Sequence, residues 1–178
     1  SSTSRGLGDV YKRQVQANFA RNSYDVNVTT NGSGLVNGQS VLFLSPFFQD
    51  TIELNATASP GWEFDRWYGH SFANPQASVV SFAVSSDMDL NASFKRSNFA
   101  LNILSSALGQ SSGSGSYEFE SNVTISTLPN TGYLFSQWTG DIQYLADPNS
   151  SSTIVTIPSN DVSPVSYTHL TLPTIYSV

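Results

Sequence analysis

At 178 residues the chain suits one domain or two small ones. Only 11% of it is charged, against about 25% in ordinary domains; Ser, Thr, Asn and Gly fill the gap, a mix common in secreted β-proteins. A net charge of −6 and a pI near 4.5 argue against a nucleic-acid partner, which needs a basic face. The lack of cysteine excludes disulfides and thiolate chemistry, and no apolar run reaches the roughly 18 residues of a membrane-spanning helix, so direct membrane insertion is not expected.

Both ends look foreign to the rest. Residues 1–14 and 164–178 resemble translated sequencing-adapter read-through, and as processing scars they are expected to lie outside the fold. The opening Ser1-Ser2-Thr3-Ser4 is polar and does not read as a signal peptide. Next comes Val15-Gln16-Ala17-Asn18-Phe19-Ala20-Arg21, which matches Leu90-Asn91-Ala92-Ser93-Phe94-Lys95-Arg96 further on. Each is followed at equal spacing by an aromatic, Tyr24 and then Phe99. Residues 15–23 therefore read as the last strand of a preceding repeat.

A first repeat spans residues 24–96. Tyr24, Val26 and Val28 alternate with polar residues, which predicts a strand. Asn31-Gly32-Ser33-Gly34 reads as a turn. Strands are predicted at Val41-Leu42-Phe43-Leu44 and, with Ile52, Leu54 and Ala56 inward, at residues 51–57. Ser59-Pro60-Gly61 then leads into Gly61-Trp62-Glu63-Phe64-Asp65-Arg66-Trp67-Tyr68-Gly69. Residues 70–78 read as a loop, and alternating strands return at Val80, Phe82 and Val84 and at Met88, Leu90, Ala92 and Phe94.

The second repeat, residues 97–163, copies this order. Phe99, Leu101 and Ile103 open it, and the Gly/Ser-rich residues 109–116 read as a mobile connection. Tyr117 and Phe119, then Val123 and Ile125, alternate. Gly132-Tyr133-Leu134-Phe135-Ser136-Gln137-Trp138-Thr139-Gly140 repeats the aromatic pattern 71 positions after its first copy. A polar loop over residues 141–152 and a strand through Thr153, Val155 and Ile157 follow. The closing strand should begin near Val162 but runs into the suspect tail, so it is expected to be missing or replaced.

The aromatic motif has a physical logic. Trp62 and Phe64, two apart, share one face of a strand. Trp67 is three beyond Phe64 and would face the other way on a regular strand. One extra residue around Asp65 and Arg66, a β-bulge, returns it to the core side. Phe64, Trp67, Phe135 and Trp138 are thus expected as anchors of two cores. No segment shows helical periodicity. The expected fold is all-β: two tandem small antiparallel β modules, β-grasp-like or small sandwiches, with at most one helical turn in a loop. Near 70 residues each, such units are marginal alone and gain stability from their neighbours.

With these positions in place, the chain resembles the divergent branch of the internalin B-type repeats, the bacterial repeat domain. The residues that carry the resemblance are Ile52, Leu54, Ala56, Gly61, Trp62, Phe64, Trp67, Gly69, Ala92 and Phe94, then Val123, Ile125, Pro129, Gly132, Tyr133, Phe135, Trp138 and Gly140. Repeat one has Ala58 where the family's turn proline stands; repeat two has Thr127 for the strand alanine and lacks the closing Ala-x-Phe. The resemblance implies tandem β modules of long secreted or surface proteins of bacteria, acting as stalks, spacers or adhesion modules, extracellular or at the cell surface. Its implied partners are neighbouring repeats in the same longer chain. The family has no catalytic residues to transfer.

The residues themselves point away from catalysis. A hydrolase needs a nucleophile with a base, or paired carboxylates. His70 is the one histidine outside the suspect tail, no Gly-x-Ser-x-Gly elbow or His-Glu-x-x-His motif is present, and His70 reads as a surface residue. Asp141 and Asp147-Pro148-Asn149 share a polar loop that could offer oxygen to calcium, though not in the spaced Asp/Asn pattern with a terminal Glu; they read as solvated loop acids, and neither metal nor cofactor is expected. The Asn-x-Ser/Thr triplets follow from composition. A second function class is carbohydrate binding through exposed aromatics such as Trp62, Tyr68 and Tyr144, which would add a surface glycan or protein as partner.

Overall fold

The computed structural model describes residues 19–170. Residues 1–14 lie outside the described residues, as do 15–18 of the strand expected at 15–23. The rest of that stretch is not a strand: residues 19–22 have no regular structure, and Ser23 makes one isolated bridge to Phe47. A strand exists through a ladder of partners, and residues 19–22 make only one backbone bond, from Phe48 N to Asn22 O, among the described residues.

The first module contains β1 (Val26–Asn31), β2 (Gly34–Val36), β3 (Val41–Leu44), β4 (Thr51–Ala58), β5 (Trp62–Tyr68), β6 (Val79–Ala83) and β7 (Met88–Arg96). One sheet has the order β3-β1-β7-β5 and the other β2-β4-β6. Alternation puts Val26, Val28, Leu90, Ala92 and Phe94 on the inner face of the first sheet and Val36, Leu54, Ala56 and Val80 on that of the second; they pack into one core. The module is therefore a small sandwich. Pairings are antiparallel except that β1 and β7 run parallel. The chain builds the second sheet between them before it returns beside its own start, a crossover that a parallel pair requires.

The second module repeats the plan with β8 (Asn98–Leu101), β9 (Leu104–Ser105), β10 (Gly109–Ser112), β11 (Gly115–Glu118), β12 (Asn122–Pro129), β13 (Tyr133–Gly140), β14 (Ser152–Thr156) and β15 (Pro164–Leu170). The β10-β12-β14 sheet faces a layer made of β11-β8 and β13-β15-β9. Here β8 and β9 share the place that β1 fills alone, and β9 runs parallel to β15. One 3-10 turn, Ile142–Tyr144, is the helical element among the described residues.

Two stretches differ from expectation. The Gly/Ser-rich residues 109–116 are not a loose connection: β10 pairs with β12 and β11 with β8. Backbone groups make a ladder whatever the side chains, and the Ser112 and Ser126 hydroxyls add a cross-strand bond of 2.8 Å. Residues 164–170, expected to lie outside the fold as the start of the foreign tail, form β15 and fill the closing strand's seat, paired along the whole of β13; residues 171–178 lie outside the described ones.

β15 enters the core with hydroxyls where β7 brings apolar groups. Ser166 stands opposite Trp138 as Ala92 stands opposite Trp67, and Thr168 opposite Phe135 as Phe94 opposite Phe64. Ser166 and Thr168 are buried, and each is hydrogen bonded, to Ser111 at 3.2 Å and to Ser106 at 2.9 Å. Buried hydroxyls are tolerated when partnered in this way. Ending the chain at Ser163 is expected to unfold the second module alone. Amide exchange at Val123, Ile125 and Val155 should become fast while Val26, Leu54 and Leu90 stay slow; equal protection in both chains would show β15 to be dispensable.

Candidate functional site

The aromatic motif forms β5 and β13, and both strands carry a register shift, between Phe64 and Arg66 and between Phe135 and Gln137. Asp65 and Ser136 are the extra residues. The bulge turns Trp67 and Trp138 inward, where they are 2% and 1% exposed. Phe64 lies 5.5 Å from Trp67 and Phe135 5.7 Å from Trp138 between ring centres, both tilted. Gly69, at φ +95°, ends the first copy; a Cβ there would run into the Asp89 carbonyl oxygen.

Each polar loop after the motif serves its tryptophan. The Trp67 indole N–H donates to Ala77 O at 2.9 Å and its backbone N–H to Pro75 O at 2.8 Å. The Trp138 indole N–H donates to Ser150 O at 2.8 Å and its backbone N–H to Pro148 O at 2.7 Å. Asn74 and Asp147 shape the two loops alike, their side-chain oxygens accepting from Gln76 N and Asn149 N. Asp141 accepts from Ser163 N at 2.8 Å. Both acids of the loop once weighed for calcium thus accept structural backbone bonds, and no group of three or more metal-ligating side chains occurs among the described residues.

The candidate binding aromatics are spread over the molecule. Tyr68, at the end of β5, is 50% exposed. Trp62 is half-buried at the start of that strand, against the first core, with the Arg96 guanidinium 5.7 Å over its ring. Tyr144 is half-buried in the second module, lining a cleft of about 420 Å³ with Phe119, Gln143 and Pro158. His70 is exposed, stacked on Phe82 at 5.0 Å and edge-on to Phe72 at 4.9 Å. It borders a polar hollow of about 530 Å³ with Asp25, Ser86, Asp87 and Asp89. There Asp87 accepts from Asp25 N and Asp89 from the Asn27 amide, so these carboxylates hold β1 against β7.

The residues that sequence reading passed over sit where the modules meet. Only Ser97 separates β7 from β8. Its N–H donates to Gly61 O, and its carbonyl accepts from Phe119 N, both at 2.9 Å. The Phe119 ring rests on Gly61, where a Cβ would lie 2.5 Å from it. Arg96 reaches across to Glu120 at 3.0 Å while facing Trp62. Phe119 is steadied by Phe99, edge-on at 6.5 Å. The leading glycine of the first motif is thus buried by its neighbour, whereas Gly132 of the second is exposed. The signal was present in the sequence: Phe48-Gln49 and Phe119-Glu120 stand at the same distance before the two motifs.

The sequence profile of the divergent InlB B-repeat domain matches residues 24–98 and again residues 99–168. The chain belongs to that family. It holds two B-repeats in tandem, the match passing from one to the other between residues 98 and 99, just after Ser97. Comparison with curated proteins gave no match. The B-repeat family is not a known enzyme family.

Two measurements probe these B-repeats. Trp67→Phe keeps most of the ring but leaves Ala77 O without its donor, so a loss of about 1–3 kcal/mol is expected in urea denaturation; Trp67→Ala should lose about 3–5 kcal/mol. At the outer end of the first repeat, the Arg21 guanidinium, hydrogen bonded to Asp50 and helped by the Phe47 N–H, holds that carboxyl below its ordinary value of 3.8. A lowered folded value means that the pair supports the fold above pH 3.8 and that the support fades as pH falls below it. Arg21→Gln should raise the Asp50 midpoint in an NMR titration.

Proposed function

We propose that this tandem of B-repeats is a non-enzymatic spacer of a secreted or cell-surface bacterial protein, a stalk that sets other domains at a distance and contributes to adhesion. The observation that supports this reading is the joint. A linker of one residue, tied by backbone hydrogen bonds to Gly61 and Phe119, removes the freedom that a flexible connection would keep. A spacer needs that property, and an enzyme built on one repeat would not. Surface ion pairs such as Arg96 with Glu120 contribute only about 0–1 kcal/mol, so stiffness should rest on Phe119 and the backbone bonds. No helix among the described residues is long and apolar enough to cross a membrane.

The test is orientation. Residual dipolar couplings from the two repeats should fit one alignment tensor, and Phe119→Asp should split them into two without unfolding either core. Two tensors in the unaltered chain would remove the spacer reading.

Glycan binding is the second reading, favoured by the exposure of Tyr68 and the cleft beside Tyr144. It expects oligosaccharide titrations to shift ring signals of Tyr68 or Tyr144, with the shift lost in the matching Ala variant. Against it stands the arginine over the face of Trp62.

A further inference from the structure

The outer end of the first repeat reproduces one half of the internal joint in its backbone bonds and rings, although Arg21 pairs with Asp50 where Arg96 pairs with Glu120. Phe48 N donates to Asn22 O at 2.8 Å, as Phe119 N donates to Ser97 O at 2.9 Å. Tyr24 meets Phe48 edge-on at 6.4 Å, as Phe99 meets Phe119 at 6.5 Å. Gln49 and Glu120 share a φ of +63°, a left-handed conformation uncommon outside glycine. Arg21 occupies the place of Arg96, clamped to Phe48 O at 2.7 Å and to Asp50. A cleft of about 350 Å³ opens between Ala20, Arg21, Asn22, Tyr24 and Phe48. Phe48 is 44% exposed there, whereas Phe119 is partly covered by Gly61.

Such a surface is costly to build for no partner. The strained Gln49 and the ordered Arg21 each give up conformational freedom, yet the first core needs neither ring of the Tyr24–Phe48 pair to be half in water. We propose that the face made by Arg21, Asn22, Tyr24, Phe48 and Gln49 is the receiving half of a second joint, and that its occupant is the glycine–aromatic turn of another B-repeat whose closing strand runs into Arg21. The proposal rests on the spacer reading and adds to it the surface through which repeats are stacked. In the docked state the incoming glycine lies on the Phe48 ring as Gly61 lies on Phe119. Its carbonyl accepts from Asn22 N as Gly61 O accepts from Ser97 N, and the aromatic after it lies beside Arg21 as Trp62 lies beside Arg96. Side chains larger than hydrogen at the turn's first position would strike the ring, which makes the site selective for turns of the Gly-aromatic kind.

The experiment is the full chain with residues 22–96 duplicated in tandem, so that the first copy's Arg96 precedes the second copy's Asn22. Amide hydrogen exchange reports on both copies of Asn22 in one molecule. The second should exchange at least tenfold more slowly than the first, which keeps the free end. Phe48→Ala in the second copy alone should return its Asn22 to the fast rate while Leu90 and Trp67 of that copy stay protected. Equal rates at the two Asn22 positions, with both copies' Leu90 and Trp67 protected, would overturn the proposal and leave the repeats standing as modules. Loss of protection at Leu90 and Trp67 in the added copy would overturn it too, and the spacer reading with it, since stacked repeats should support one another.

Discussion

A tryptophan with its indole N–H tied to a loop carbonyl is the constraint on which each repeat depends. Fully burying such a ring removes about 150–250 Å² from water, worth about 4–6 kcal/mol at the usual coefficient. The N–H would cancel part of that gain if it were left without an acceptor. Ala77 O and Ser150 O supply the acceptors, at 2.9 and 2.8 Å. The loops are therefore lids whose backbone completes the core. The small residue opposite each indole, Ala92 or Ser166, leaves it room.

The same economy shapes the unit as a pair. Cores of this size are marginal alone, and the second is the more polar: Thr127, Thr153, Ser166 and Thr168 are buried in it, each with its hydroxyl hydrogen bonded, Thr127 to Gln110 O, Thr153 to Asp147 N, and the other two to serine hydroxyls. Stacking one repeat on the next through Gly61 and Phe119 adds an apolar contact between the repeats, outside both cores. The glycine that permits the positive φ of the turn thereby also admits a neighbour's ring. One residue type serves local geometry and assembly at once.

How far the sequence could be read is clear from particular residues. The recurrence of Gly, aromatic, Phe and Trp at fixed spacing placed β5 and β13, and the three-residue step from Phe64 to Trp67 required a bulge that the register shift displays. Strands with strong alternation, such as β4 and β12, were legible for the same reason. Others were not. Gly109–Ser112 carries no apolar pattern, and its strand exists because β12 offers an edge. Pro164–Leu170 looked foreign by composition, but pairing is a backbone property, and its small, hydrogen-bonded Ser166 and Thr168 fit opposite Trp138 and Phe135. Of the strand expected at residues 15–23, residues 15–18 lie outside the described residues, and residues 19–22 have no neighbouring strand among the described ones.

By itself the sequence determined the class, the number of repeats and the identity of their central rings. Period-two alternation and a 71-residue recurrence are one-dimensional facts that survive without coordinates. The tertiary structure alone decided that β1 and β7 run side by side in parallel, that loop carbonyls hold the indoles, and that Phe119 closes on Gly61. These depend on which surfaces meet after the chain has crossed between layers. The strand pairing and the Gly61–Phe119 contact join residues some 60 positions apart, and the indole bonds end on backbone carbonyls; neither leaves a periodic trace in the sequence.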